Sequence, residues 1–231
     1  MKNIFFTASN KMADLIHANY HLLPVIERFG IPLGFGEKTV SQVCLSSNVD
    51  ENLFLMVCNV YSNTAYVPSG KTVTSFPISA LTDYLLESHR YYLEDRIPHI
   101  GRHLSDMVKS YPRDKADIMT GFFNQYRHEV AEHLEYEEKT VFPYIKALDN
   151  GNRKTDYSIS RFEKNHTDIQ EKLVDLQNII IKYLPCPEGS CQQNEILYDL
   201  FLLDEDLGRH TLIEDKILVP LVNELEKKAE K

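Results

Sequence analysis

Apolar residues return at intervals of three and four along four long stretches in the last two-thirds of the chain. In the first stretch, about Ser79 to Lys109, Leu81, Leu85, Leu86, His89, Leu93, Ile97 and Ile100 share a face at helical spacing. Ser79, two residues after Pro77, suits an N-cap, and Pro98 predicts a kink. The second stretch runs from about Lys115 to Leu148 and stops at Asp149-Asn150-Gly151-Asn152. The third spans about Tyr157 to Tyr183, and the fourth about Gln193 to Lys228. Pro185, Pro187 and Gly189 break the chain between those last two. Four long amphipathic helices with short connections predict an all-α, up-down-up-down four-helix bundle. Strand signals are nearly absent. Residues 1–62 read as a small helical N-terminal domain. Residues 63–78, with Pro68, Gly70, Pro77 and several hydroxyls, read as a linker, and 79–231 as the bundle.

Some positions on the inward faces are polar, and they repeat. His133-Leu-Glu-Tyr-Glu137 is followed by Pro143, and His210-Thr-Leu-Ile-Glu214 by Pro220, so both read His-x3-Glu-x5-Pro. The two elements are 77 residues apart, as are His89 and His166. Each of those histidines precedes its His-x3-Glu by 44 residues. The bundle is therefore two helix pairs of matched length.

Residues i and i+4 of a helix differ by only about 40° in direction and about 6 Å in height. His133 and Glu137 thus project from one face, and so do His210 and Glu214. Four imidazoles and two carboxylates pointing into one core would be costly unless cations compensated them. Six nitrogen and oxygen donors without a thiolate are too many for one tetrahedral ion. They suit two ions sharing the carboxylates, with open positions left over, and that mixture favours iron. Manganese or zinc would fit the same donors. Glu129 and Asp206, four residues before His133 and His210, are candidates to accept the histidines' free N–H groups or to form a proton path. His17, His21, His99, His103 and His128 have no repeat and read as surface or capping residues. Tyr84, Tyr91, Tyr92, Tyr126 and Tyr136 read as packing.

Charge and composition narrow the partners. A net charge of −9 and a pI near 5.5 gain nothing from counterion release, which sets nucleic acid aside. No apolar run approaches the roughly 20 residues that span a bilayer, and the first residues are too weakly apolar for a signal peptide. The expected location is the cytoplasm. Cys44, Cys58, Cys186 and Cys191 are sparse and form no Cys-x2-Cys pair, so they read as ordinary thiols.

The repeated His and His-x3-Glu elements of residues 79–231 resemble haemerythrin-like domains, four-helix bundles around a di-iron pair. Within that group the chain is similar to the di-iron proteins that repair iron centres, also described as regulators of cell morphogenesis and nitric oxide signalling. Those begin with a small helical domain holding an aromatic-Gly-Ile/Met segment and a Cys-Cys-Gly-Gly-Lys turn. Here Phe29-Gly30-Ile31-Pro32-Leu33-Gly34-Phe35-Gly36-Glu37-Lys38 occupies that place, with Gly34 and Phe35 where the cysteines would stand. His89 is followed by Arg90, where family members often carry His-His before the Tyr-Leu segment.

The resemblance implies two non-haem iron ions, oxo- or hydroxo-bridged when oxidised, on His89, His133, Glu137, His166, His210 and Glu214. It implies a stress-response role in repairing iron–sulfur clusters damaged by oxidants or nitric oxide, with iron–sulfur proteins as partners. It leaves the N-terminal domain a docking or homodimerisation role. An O2 or nitric oxide carrier or sensor, or a nitric oxide or peroxide reductase, would use the same site, and spacing does not separate them.

Overall fold

The computed structural model describes residues 4–63, 65–68, 70–73, 75–152, 157–164, 167–185 and 192–229. Eight helices account for most of them: α1 (Met12–Ala18), α2 (Leu22–Arg28), α3 (Val40–Ser47), α4 (Glu51–Ser62), and four long ones, α5 (78–108), α6 (113–149), α7 (Thr167–Tyr183) and α8 (192–229). A short helical turn, Gly70–Val73, precedes α5, and a 3-10 turn, Ile159–Lys164, precedes α7. Among the described residues there is no strand, only one isolated bridge between Lys11 and Thr39. The chain is an all-α helical bundle.

The helix starts follow local chemistry. Thr39 and Gln42 form a reciprocal capping box at the head of α3, and the Asp50 carboxylate accepts the Leu53 N–H at the head of α4. After α2, Gly30 adopts a left-handed φ of 67°. The Gly30 and Ile31 N–H groups donate to the Glu27 and Ile26 carbonyls, a Schellman ending. Ser79 is not the N-cap of α5. The helix begins at Ile78, and the Pro77 carbonyl accepts from the Ala80 and Leu81 N–H groups, so Ser79 falls inside the first turn.

Three of the long helices contain one π turn each: Tyr91–Arg96 in α5, Glu137–Val141 in α6 and Glu214–Leu218 in α8. Each closes with an N–H bonded five residues back, Ile97 to the Tyr92 carbonyl, Phe142 to that of Glu137 and Val219 to that of Glu214. In all three cases the next residue is proline: Pro98, Pro143 or Pro220. A proline inside a helix lacks the N–H that would reach the carbonyl four residues back, and its ring crowds that carbonyl. An extra residue in the preceding turn relieves the crowding, so the helices run on instead of breaking. The kink predicted at Pro98 thus takes the form of a widened turn.

The contacts divide the chain into two compact units, residues 1–88, 144–159 and 209–231 in one, and residues 89–143 and 160–208 in the other. The second unit holds a four-helix core. Tyr92, Ile97, Ile100 and Leu104 of α5, Phe123, Tyr126, Val130 and Leu134 of α6, Leu173, Leu176 and Ile180 of α7, and Ile196, Leu200, Leu203 and Leu207 of α8 pack together, at the three-four spacing of the sequence. Each such side chain contributes roughly 1.5–3 kcal/mol by leaving water. Tyr84, Tyr92 and Tyr126 are buried as packing residues.

In the first unit, α1 to α4 bury Met12, Leu15, Leu22, Val25, Phe54 and Val57. Asn59, itself buried, clamps the N-terminal segment, accepting from the Phe6 N–H at 2.7 Å and donating to the Phe6 carbonyl at 3.1 Å. Phe29, at the aromatic-glycine segment, stacks on Tyr84 with ring centroids 4.6 Å apart.

Candidate metal centre

Helix α5 carries His89 two residues before its π turn, with the side chain fully buried. Helix α6 carries His133, one turn before Glu137. Glu137 opens the π turn and is fully buried as well. These three belong to one compact unit and meet at the Glu137 carboxylate. Its Oε2 lies 3.0 Å from His89 Nε2, and its Oε1 lies 2.8 Å from His133 Nε2. Each oxygen of one buried carboxylate therefore faces a different imidazole. The other side of the His89 ring is held too: Nδ1 lies 3.0 Å from Glu138 Oε1. Phe142, which closes the π turn, stacks on the same ring at 5.4 Å.

The other unit carries the second His-x3-Glu element. His210 and Glu214 sit one turn apart on α8, both buried, with His210 Nε2 3.0 Å from Glu214 Oε1. Glu214 opens a π turn of the same five-residue length as that of Glu137. The 77-residue repeat therefore extends from residue identity to backbone geometry. His166 lies outside the described residues, as do Cys186 and Cys191.

Donor chemistry tests whether these residues fit a metal. A first-row ion with bonds of about 2.1 Å in an octahedral shell has neighbouring ligand atoms about 3.0 Å apart. The observed imidazole–carboxylate separations of 2.8, 3.0 and 3.0 Å match that edge. Imidazole and carboxylate donors without thiolate suit iron and its first-row neighbours. His89 adds a specific point. Both of its ring nitrogens face carboxylates, and a neutral imidazole has a proton for only one of them. With the proton on Nδ1 toward Glu138, the Nε2 lone pair faces Glu137, a geometry that a cation between them satisfies.

Glu138 is the residue that spacing did not reveal. It follows Glu137 directly, and consecutive α-helical residues point about 100° apart, so the pattern gave it no role. The wider π turn narrows that angle and brings both acids to His89. Glu129, expected to serve His133, instead accepts from Lys172 and, at 3.1 Å, from Gln125. The Lys172 ammonium holds its carboxyl below the ordinary range. Asp206 is buried on α8. Among the described residues no helix is long and apolar enough to cross a membrane.

Residues 80–222 match the family described as Hemerythrin HHE cation binding domain. The chain is also similar to proteins named for iron–sulfur cluster repair. It is 21% identical over 189 residues to YtfE of Salmonella typhimurium, covering 80% of this chain and 83% of the relative. It is 19% identical over 201 residues to ScdA of Staphylococcus haemolyticus, covering 84% and 89%.

Proposed function

The chain belongs to the hemerythrin HHE cation-binding family, and on that premise we propose that it holds two non-haem irons and serves in the repair of damaged iron–sulfur clusters. His89, His133, Glu137, His166, His210 and Glu214 are the residues that would hold the two ions. The observation that carries this reading is the fully buried Glu137 carboxylate, whose two oxygens face two different imidazoles. Relatives bearing the repair name align over most of their own length, which supports the role.

The chain's own residues divide the work. Glu138 accepts a hydrogen bond from the His89 Nδ1–H and fixes which nitrogen looks inward. The 77-residue offset places Asp215 at the repeat position that Glu138 holds in the first half. Phe142 keeps the His89 ring from turning. Bound iron would supply one-electron redox chemistry and open positions for O2, nitric oxide or peroxide.

One observation favours the carrier or sensor reading beside repair. The turn after α2 has Gly34 and Phe35 where thiols are expected, and Cys44 and Cys58 are buried. Thiol chemistry at that turn is therefore missing. A single experiment separates the readings. Iron-loaded protein is added anaerobically to a cluster enzyme inactivated by nitric oxide. Repair predicts recovered activity in proportion to the protein added. Reversible gas binding with no recovery would give the site to sensing.

A further inference from the structure

We propose that His99, His103 and Asp199 form a second divalent-cation site, partly open to solvent, separate from the buried histidine–glutamate positions. This does not depend on the proposed function, since none of the three residues is a ligand there.

All three belong to one compact unit. His99 and His103 lie one turn apart on α5, and Asp199 comes from α8. Asp199 Oδ2 is the convergence point, 3.5 Å from His99 Nε2 and 3.0 Å from His103 Nδ1. The two rings lie 4.2 Å apart by centroid, tilted by 56°, so they lean toward one oxygen. One nitrogen from each ring and a carboxylate oxygen all lie within 4.8 Å of one another.

Arg96, the last residue of the α5 π turn, fixes the third donor. Its Nη2 donates to Asp199 Oδ1 at 2.9 Å. The carboxylate is thereby anchored through one oxygen and offers the other. A tetrahedral ion with bonds of 2.0–2.1 Å has ligand atoms about 3.3 Å apart. The observed 3.0 and 3.5 Å straddle that edge.

Exposure separates this site from the buried one. His99 and His103 side chains are 36% and 40% exposed, and Asp199 15%. An ion can enter from solvent and keep water in its remaining position, as three-ligand sites do. Two imidazoles and one carboxylate select a first-row divalent cation, zinc or ferrous iron, over calcium or magnesium, which demand more oxygen. The sequence hid the site because Asp199 is 96 residues from His103.

Full-length protein and a His99→Gln/His103→Gln variant, both with every buried ligand intact, are titrated with Zn2+ against a chromophoric chelator, and in a second arm with Fe2+ anaerobically. The wild type is expected to bind one more equivalent than the variant, in one or both arms. The lost equivalent should be at least about 100-fold weaker in the variant, beyond what loss of an outer partner alone costs. Co2+ should give visible ligand-field bands from this site in the wild type only. Asp199→Asn, which keeps size and removes the charged donor, should lose the same equivalent and decides the matter if the double variant does not fold. Equal stoichiometry and affinity in wild type and variants, for both metals, overturns the proposal.

Discussion

The Nδ1 of His89 lies 3.0 Å from the Glu138 carboxylate, across the ring from the nitrogen that faces Glu137. That contact sets the tautomer of a fully buried imidazole. Glu138→Gln keeps the size but offers an amide that can rotate its own donor toward the ring. Iron affinity at the site should fall by about 10- to 100-fold, as removal of such partners costs elsewhere. Competition against an iron chelator measures it, and an unchanged affinity would show that Glu138 does not orient His89. Asp215→Asn should have a comparable effect through the repeat.

Metal removal should destabilise the protein. Glu137 and Glu214 are fully buried beside histidines, and a bound ion offsets their desolvation. Ligand present at 100 times its dissociation constant stabilises by about 2.7 kcal/mol. For a chain of this size that corresponds to a drop of roughly 5–10 °C in Tm on chelation. Calorimetry with and without chelator reads it directly. Equal midpoints would mean that the fold does not couple to metal.

Two mid-helix glycines should respond to alanine with opposite sign. A Cβ at Gly208 would meet only the Gln170 amide at 3.1 Å, the end of a flexible side chain. Gly208→Ala should stabilise by roughly 0.5–1 kcal/mol through helix propensity. A Cβ at Gly101 would meet the Phe123 ring at 3.0 Å, and that ring is packed in the core. Gly101→Ala should forfeit the same gain and destabilise by about 1 kcal/mol. Denaturant midpoints of the two variants decide the comparison.

The buried thiols should be inert in the native protein. Burial pushes Cys44 up to about 12, and Cys58 well above its ordinary value. At pH 8 a thiol at 12 is thiolate roughly a thousandfold less often than a free one near 8.5. Both residues should resist alkylation until the chain unfolds, as mass spectrometry of pulse-labelled protein would show. The unfolded chain releases these protons at lower pH than the native one. Stability should therefore decline as pH rises from about 8.5 toward 12.

Much of the architecture was legible because helical spacing is local. Leu81, Leu85, Ile97 and Ile100, and likewise Leu173, Leu176 and Ile180, announce buried faces from their intervals alone. The burial of His89, Glu137, His210 and Glu214 was legible for the same reason, since polar residues at core phase repeat at 77. Pro98 announced a disturbance of its helix but not its form, and Pro143 and Pro220, read only as members of the repeat, follow the other two π turns. Glu138 and Asp199 were not legible. The first acts through a local change of helix pitch, and the second through a partner that only the fold brings near. Ser79 failed as a cap because the Pro77 carbonyl already accepts the first helical bonds.

The central claim is that paired His and His-x3-Glu elements hold two irons. Metal analysis of anaerobically purified protein, run beside Glu137→Ala and Glu214→Ala, tests it most directly. The account predicts about two irons per chain in the wild type, with oxo-bridge absorption on oxidation, and a sharp loss of iron in both variants. Wild-type protein with no iron, or iron unaffected by removing both carboxylates, would contradict it.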